Sequence, residues 1–196
     1  MNPLARNFLA LCLVGPLVGV TATAGEPSDA WRLADIDGTI HSPFDDESVR
    51  AIALIFISTD CPIANSYQPL LQRLAGQYDR HAIRFFLIHS NPEVTVAKAR
   101  KHANEFKIKP PVVIDVNQTI SRRVGAIITP QAFVIVRDQE SPAYQGRIDN
   151  LYAGYGKKRK TATTHDLADA LDAVIAGRAP EKSKTEAVGC YISYLK

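Results

Sequence analysis

The sequence has few cysteines, and they do not cluster. Three occur in 196 residues, Cys12, Cys61 and Cys190, which is too few for a small fold held together by a framework of disulfides. One-sided charge is also lacking: the net charge of +3 is too small to favour a nucleic-acid-binding protein. The 46% hydrophobic and 22% charged residues are instead typical of a globular domain with a substantial core.

The first residues have the pattern of a cleavable signal peptide, 1–24. Arg6 supplies a positive charge, an apolar stretch runs over 8–20, and Ala22-Thr23-Ala24 offers a small-residue cleavage site. This stretch is too short to span a membrane. We therefore expect a secreted or periplasmic protein that begins near Gly25, has no membrane partner after cleavage, and retains two cysteines where disulfides can persist.

The order of predicted elements indicates an α/β fold. The apolar run 51–57 is typical of a strand buried on both faces, and Pro62 suits the first turn of a helix. The later elements are a strand over 83–89, a helix from Asn91-Pro92-Glu93 to about Phe106, strands over 112–114, 132–136 and 143–148, and a helix from about Thr163 to Gly177. These predict a central mixed sheet flanked by helices, with a domain over 25–178 and a tail over 179–196.

The segment Ser58-Thr59-Asp60-Cys61-Pro62-Ile63-Ala64-Asn65 places a cysteine between a buried strand and a helix. A helix N-terminus favours the thiolate, which is the reactive form, whereas the neighbouring Asp60 carboxylate opposes it. The simpler interpretation is that Cys61 packs as a small hydrophobic residue. Its position at the junction favours a reactive thiol, although Ala64 stands where a Cys-x-x-Cys motif would have its second cysteine.

The junction at Cys61-Pro62, together with Ile128-Thr129-Pro130 ahead of the next strand, resembles the thioredoxin-like superfamily over residues 30–178. With the segments 146–150 and 188–190, the chain is more narrowly similar to exported bacterial redoxin-domain proteins. These are grouped with the alkyl hydroperoxide reductase/thiol-specific antioxidant and disulfide-reductase branches. The resemblance implies a thioredoxin-like fold, a cis Pro130 facing Cys61, and no cofactor.

The resemblance implies thiol–disulfide exchange with Cys61 as the nucleophile. Thr129 and Pro130 would align a protein disulfide or thiol substrate. Without a local second cysteine, either Cys190 or an external thiol reductant must resolve a mixed disulfide or sulfenic acid at Cys61. Cys190 has the alternative interpretations of a structural staple or a free thiol in the tail.

Three further residues are expected to form the substrate-binding surface: Asp60, Pro62 and Arg147. Asp60 and Pro62 flank the cysteine directly. Arg147 lies at a strand end, and strand ends border the cysteine edge in this fold. Its simplest interpretation is a structural ion pair with Asp149.

Other functions remain open. Peroxiredoxins, which reduce small peroxides, resemble Pro-x-x-x-Thr-x-x-Cys, but here Leu54 and Ser58 fill the first two places and Pro130 falls where that family has an arginine. Arg123 or Arg147 would have to substitute for it. Copper-handling relatives use two cysteines four apart, and Asn65 stands at the second place, so no metal is expected. The remaining alternative is a redox-inert domain that binds a protein partner.

Overall fold

The computed structural model of the protein describes residues 31–196, so the predicted signal peptide lies outside the described residues. The described residues form eleven short strands and five α-helices, each type numbered in chain order. The strands are β1 Leu33–Ala34, β2 Ile40–His41, β3 Ala51–Ile57, β4 Ile83–His89, β5 Val112–Ile114, β6 Ile128–Thr129, β7 Gln131–Val136, β8 Tyr144–Gly146, β9 Tyr152–Gly154, β10 Lys157–Lys158 and β11 Cys190–Tyr191. The helices are α1 Pro62–Ser66, α2 Gln68–Asp79, α3 Val96–Glu105, α4 Thr119–Val124 and α5 Asp166–Ile175.

The central sheet has the strand order β5-β4-β3-β7-β8. Strands β3, β4 and β5 are parallel, whereas β7 and β8 are antiparallel to their neighbours. The sheet is therefore mixed, as the sequence predicts. Every residue of β3 is buried because this strand is paired on both sides and covered on both faces, which explains its continuous apolar sequence.

Each face of the sheet carries its own hydrophobic core. One core contains residues from α1, α2 and α5, including Ile63, Leu71 and Leu167. The other is covered by the N-terminal segment and α4, with Trp31 and Val124 among its members. Helices therefore flank the sheet on both faces, and Cys61 belongs to the first core.

The helix boundaries differ from the prediction at two points. The helix expected to run on from Pro62 is broken at Tyr67, and Pro69 occupies the first turn of α2, a position where a proline is tolerated. Helix α3 begins at Val96 because the Thr95 side chain accepts a hydrogen bond from the Lys98 amide, as an N-cap does. The predicted start at residues 91–93 is therefore wrong, and that segment forms a turn.

Both edges of the sheet are covered by other segments of the chain. At β5, the Ile36 amide donates to the Val112 carbonyl at 2.8 Å. At β8, the Gln145 amide donates to Ser183 at 2.8 Å, and the Thr185 amide donates to Gln145 at 3.0 Å. The C-terminal segment thus follows a defined path along the sheet. Within residues 31–196, no helix is both long and apolar enough to cross a membrane.

Candidate active site

Cys61 lies at the end of the most buried strand and caps the helix that follows. It is the N-cap of α1, with Pro62 in the first turn, and only 1% of its surface is exposed. Its Sγ accepts a hydrogen bond from the Ala64 amide at 3.4 Å and donates one to the Thr129 carbonyl at 3.1 Å. The strand–cysteine–proline–helix junction therefore directs the thiol toward the β6 segment.

The Thr129–Pro130 peptide bond is cis, as the resemblance implies. Both residues are buried, and the Thr129 carbonyl contacts the Cys61 thiol. Strand β6 ends at Thr129, directly before the proline and the central strand β7. The cis-proline turn thus brings the edge of β6 next to the cysteine.

The sequence left open whether Cys190 meets Cys61, and the structure places the two cysteines side by side. Cys190 starts β11, which pairs antiparallel with β6 so that Cys190 is opposite Thr129. Cys190 therefore lies close to Cys61, which donates to the Thr129 carbonyl, and no disulfide joins the two cysteines. Burial, followed by the hydrogen bond and the charge of Cys61, raises the pKa of Cys190 to about 11. Two cysteines far apart in the sequence therefore form one site.

The residue before Cys190 approaches the cis-proline turn very closely. A Cβ atom on Gly189 would lie 1.9 Å from the Thr129 carbonyl oxygen and 3.1 Å from Pro130 Cδ. The first distance is far inside van der Waals contact, so only glycine allows this approach. Gly189 is therefore a structural requirement of the β6–β11 pairing.

Asp60 and Pro62 lie on the surface on either side of the buried cysteine. Both are exposed, and the Asp60 amide donates to Ser58 Oγ at 3.3 Å. They form part of the outer surface around the cysteine.

Arg147 does not pair with Asp149, so that prediction is wrong. Its guanidinium makes two hydrogen bonds to the Asp166 carboxylate, at 2.9 and 3.1 Å. Asp149 instead accepts the Tyr67 hydroxyl at 2.5 Å and the Leu151 amide at 2.8 Å. The reason is local: β8 ends at Gly146, and the Asp149 carboxylate stabilises the turn that follows. Arg147 nevertheless lines a small crevice that also includes Pro130.

A buried polar group behind the cysteine was not found from the sequence. His102 contacts Asn65 at 2.8 Å, and the Asn65 amide group donates to the Thr59 carbonyl at 3.0 Å. This connects α3 to the loop before Cys61. His89 packs edge-on against His102 with ring centroids 5.3 Å apart. The histidines are far apart in the sequence and have no ligand spacing, so only the folded chain reveals the group.

Burial controls the charge of these histidines. It is the main cause that lowers the pKa of His89 to about 3, with repulsion from His102 adding to it. Burial also lowers the pKa of His102. Within residues 31–196, neither His89 ring nitrogen has a hydrogen-bond partner, and no group of three metal-ligating side chains occurs.

Comparison with solved structures finds similar proteins over most of the chain. A hypothetical protein from Sinorhizobium meliloti 1021 has a TM-score of 0.72 at 26% identity, covering 84% of this chain and 91% of that chain. An uncharacterized conserved protein from Geobacillus kaustophilus has a TM-score of 0.72 at 27% identity, covering 84% and 88%. No family model and no curated protein sequence matches the chain.

A more distant match has a described activity. A secreted Mycobacterium tuberculosis disulfide oxidoreductase, homologous to E. coli DsbE, has a TM-score of 0.51 at 15% identity, covering 76% of this chain and 96% of that chain. At this identity the likeness concerns the fold. Together with the mixed sheet and the cysteine beside a cis-proline, it shows that the chain has a thioredoxin-like fold.

Proposed function

We propose that the protein is an exported thiol–disulfide oxidoreductase in which Cys61 is the nucleophile and Cys190 the resolving cysteine. One observation carries this proposal: Cys190 lies opposite Thr129 in the β6–β11 pairing, and the Thr129 carbonyl accepts the Cys61 thiol, so the two cysteines lie side by side. Two adjacent free thiols can exchange electrons with a substrate.

The proposed cycle transfers two electrons to a substrate disulfide. The Cys61 thiolate attacks one substrate sulfur, forms a mixed disulfide and releases the other sulfur as a thiolate, which takes up a proton. The Cys190 thiolate then attacks Cys61 Sγ and releases the second substrate thiol. This leaves a Cys61–Cys190 disulfide, which an external thiol reductant returns to the dithiol.

The surrounding residues are proposed to have supporting roles. Thr129 and Pro130 present the β6 edge to the substrate backbone, while Asp60 and Pro62 form the exposed surface around Cys61. Arg147 borders the same side through the crevice at Pro130. Export, with a signal peptide over 1–24, a domain over 25–178 and a tail over 179–196, belongs to the same proposal and is in keeping with the secreted relative.

The contacts of the two candidate arginines favour disulfide exchange over peroxide reduction. Arg147 is engaged by Asp166, and the Arg123 guanidinium lies over the Trp31 ring at 4.7 Å, next to the other core of the sheet. Ser58 Oγ accepts the Asp60 amide. Arg123, Arg147 and Ser58, which would have to bind and polarise a peroxide, therefore already make contacts within the protein.

An oxidant titration tests the proposal. The mature protein is treated separately with hydrogen peroxide and with a small disulfide, and Cys61 and Cys190 are then read by alkylation and mass spectrometry. We expect the disulfide to convert both thiols to the internal disulfide, and peroxide to act much more slowly. Fast peroxide oxidation of Cys61 to a sulfenic acid would contradict the proposal. So would a Cys61 that neither oxidant modifies.

A further inference from the structure

We propose that residues 188–192 occupy the substrate site, and that the substrate is an extended polypeptide segment with a glycine directly before its reactive cysteine. The inference rests on the proposed function and deepens it by naming the substrate class. The segment 188–192 is called the tail strand below.

The first argument is how the tail strand is bound. Cys190 and Tyr191 pair with Thr129 and Ile128, and the Ile192 amide donates to the Ile127 carbonyl at 3.0 Å. Thr129 Oγ1 also donates to the Cys190 carbonyl at 3.3 Å. Addition of an extended segment to a strand edge is a common mode of peptide recognition. The chain thus binds its own C-terminal segment as a peptide ligand would be bound.

The second argument is that the tail strand covers the nucleophile from the surface. Every residue over 181–196 is at least partly exposed, whereas Cys61 is buried beneath the pairing. A substrate sulfur must reach Cys61 at the place where the Cys190 thiol now lies. The substrate must therefore replace the tail strand on the same edge.

The third argument is that the tail has an anchor on each side of the tail strand. Upstream, Thr185 is held by the backbone of Gln145. Downstream, Gln118 accepts the Leu195 amide at 2.7 Å, and Arg122 donates to the Leu195 carbonyl at 2.6 Å. Arg122, which holds the downstream end of the tail, is exposed. Release of this end would free the β6 edge while the anchor at Thr185 keeps the tail close by.

The tail strand also defines which side chains the site accepts. The position before the cysteine must be glycine, because a Cβ there would collide with the Thr129 carbonyl. Tyr191 is 81% exposed, so the site places no requirement on the side chain that follows the cysteine. Val188 and Ile192 pack against the two cores. The accepted pattern is apolar, glycine, cysteine, any residue, apolar.

One edge would then serve both steps of the cycle. The Cys61 thiolate attacks the cysteine sulfur of a bound substrate disulfide, and the other sulfur leaves as a thiolate. When the tail strand returns, Cys190 attacks Cys61 Sγ and the substrate cysteine leaves as its thiol. Cys190 and the substrate cysteine must both reach Cys61 Sγ, so both segments must bind the same β6 edge. Gly189 allows the tail to bind there.

Two peptides test the glycine requirement. One has the tail sequence Val-Gly-Cys-Tyr-Ile, the other has valine in place of glycine, and each carries its cysteine as a mixed disulfide with thionitrobenzoate. Attack by Cys61 releases coloured thionitrobenzoate. The full chain carries Cys190→Ser to stop resolution and Gly189→Val to displace the tail strand. The matched control carries Cys190→Ser and Tyr191→Val, because the Tyr191 side chain points to solvent.

On the Gly189→Val chain we expect the glycine peptide to react at least about tenfold faster than the valine peptide. On the control chain both peptides should react slowly, because the tail strand still covers Cys61. Arg122→Ala, which removes one of the two hydrogen bonds to Leu195 without altering β6, serves as a second way to loosen the tail and expose the site if Gly189→Val does not fold.

The outcomes separate the two proposals. Equal rates for the two peptides on the uncovered site would overturn the glycine requirement and leave thiol–disulfide exchange standing. The same holds if a small disulfide reacts and neither peptide does. If neither the peptides nor the small disulfide reacts with any variant, the proposed function itself fails and this inference fails with it.

Discussion

The two cysteines of the site belong to regions of very different construction. Cys61 extends from β3, in which every residue is buried, and is a member of a hydrophobic core. Cys190 starts a strand of two residues that lies on the surface. The difference shows that the fold can bury the proposed nucleophile in its core while the proposed resolving cysteine is attached by a few hydrogen bonds. The predictions below test this contrast.

Replacement of each cysteine should give the largest difference. Cys61→Ser should reduce disulfide exchange to the uncatalysed rate, because the attacking sulfur is lost. Cys190→Ser should keep the first step and trap the substrate on Cys61 as a mixed disulfide. Intact-protein mass spectrometry after a single turnover measures both. The two cysteines do not have these different roles if Cys190→Ser forms no adduct with the substrate, or if its turnover without added thiol equals that of the native chain.

Truncation of an apolar side chain in each region compares their packing. Leu54→Ala in β3 should lower the free energy of unfolding by about 2–5 kcal/mol, since it leaves a cavity in a fully buried strand. Ile192→Ala in the tail should cost about 1 kcal/mol or less, because the site is half-exposed. Chemical denaturation followed by circular dichroism measures both. Equal losses would mean that the tail unfolds with the core.

Acid should weaken the core but not the attachment of the tail. The pKa of His89 is about 3 in the fold, against an ordinary value of 6.5. Between these values the unfolded chain binds more protons, so stability falls as the pH is lowered from about 6.5 towards 3. The largest slope from one such group is about 1.4 kcal/mol per pH unit. Urea denaturation at several pH values measures it.

His89→Leu is the matched control for the acid effect. It removes two buried nitrogens without hydrogen-bond partners among residues 31–196, so at neutral pH it should be neutral or stabilising. It should also reduce the slope below pH 6.5. An unchanged slope would show that His89 is not the group that titrates. The tail over 179–196 contains no histidine, so its attachment should not follow this profile.

The smallest effect concerns the reactivity of Cys190. Its alkylation by iodoacetamide should rise with a midpoint near pH 11, because its pKa is raised to about 11. In Cys61→Ala the midpoint should move down, since the hydrogen bond and charge of Cys61 are lost, but burial should keep it above the ordinary value of 9.0. A native midpoint at the ordinary value would show that the tail does not hold Cys190 against Cys61.

Much of the fold could be predicted because its strongest signals are local. The apolar run of β3 can only be a doubly buried strand or a short buried helix, and the turn residues around it favour the strand. Cys61 and the Thr129-Pro130 pair could be recognised together by their resemblance to thioredoxin-like proteins. The helix break at Tyr67 could not, since the apolar spacing continues across it.

The position of Cys190 could not be predicted, for a physical reason. A strand of two residues has no periodicity, and its partner β6 lies far away in the sequence. The contacts of His89 with His102 and of Arg147 with Asp166 are likewise made only when distant segments meet. Gly189 permits a close backbone approach because it has no side chain, but the sequence does not show which segment it approaches.

The coverage of both sheet edges has a consequence for the solution behaviour of the protein. A free strand edge is a template on which another chain can add and aggregate. Here the N-terminal segment covers β5 through Ile36, and residues 183–185 cover β8. Residues 183–185, upstream of Cys190, are therefore also expected to prevent self-association through the β8 edge. Removing the C-terminal residues from 183 onward should promote oligomers, whatever becomes of the chemistry at Cys61.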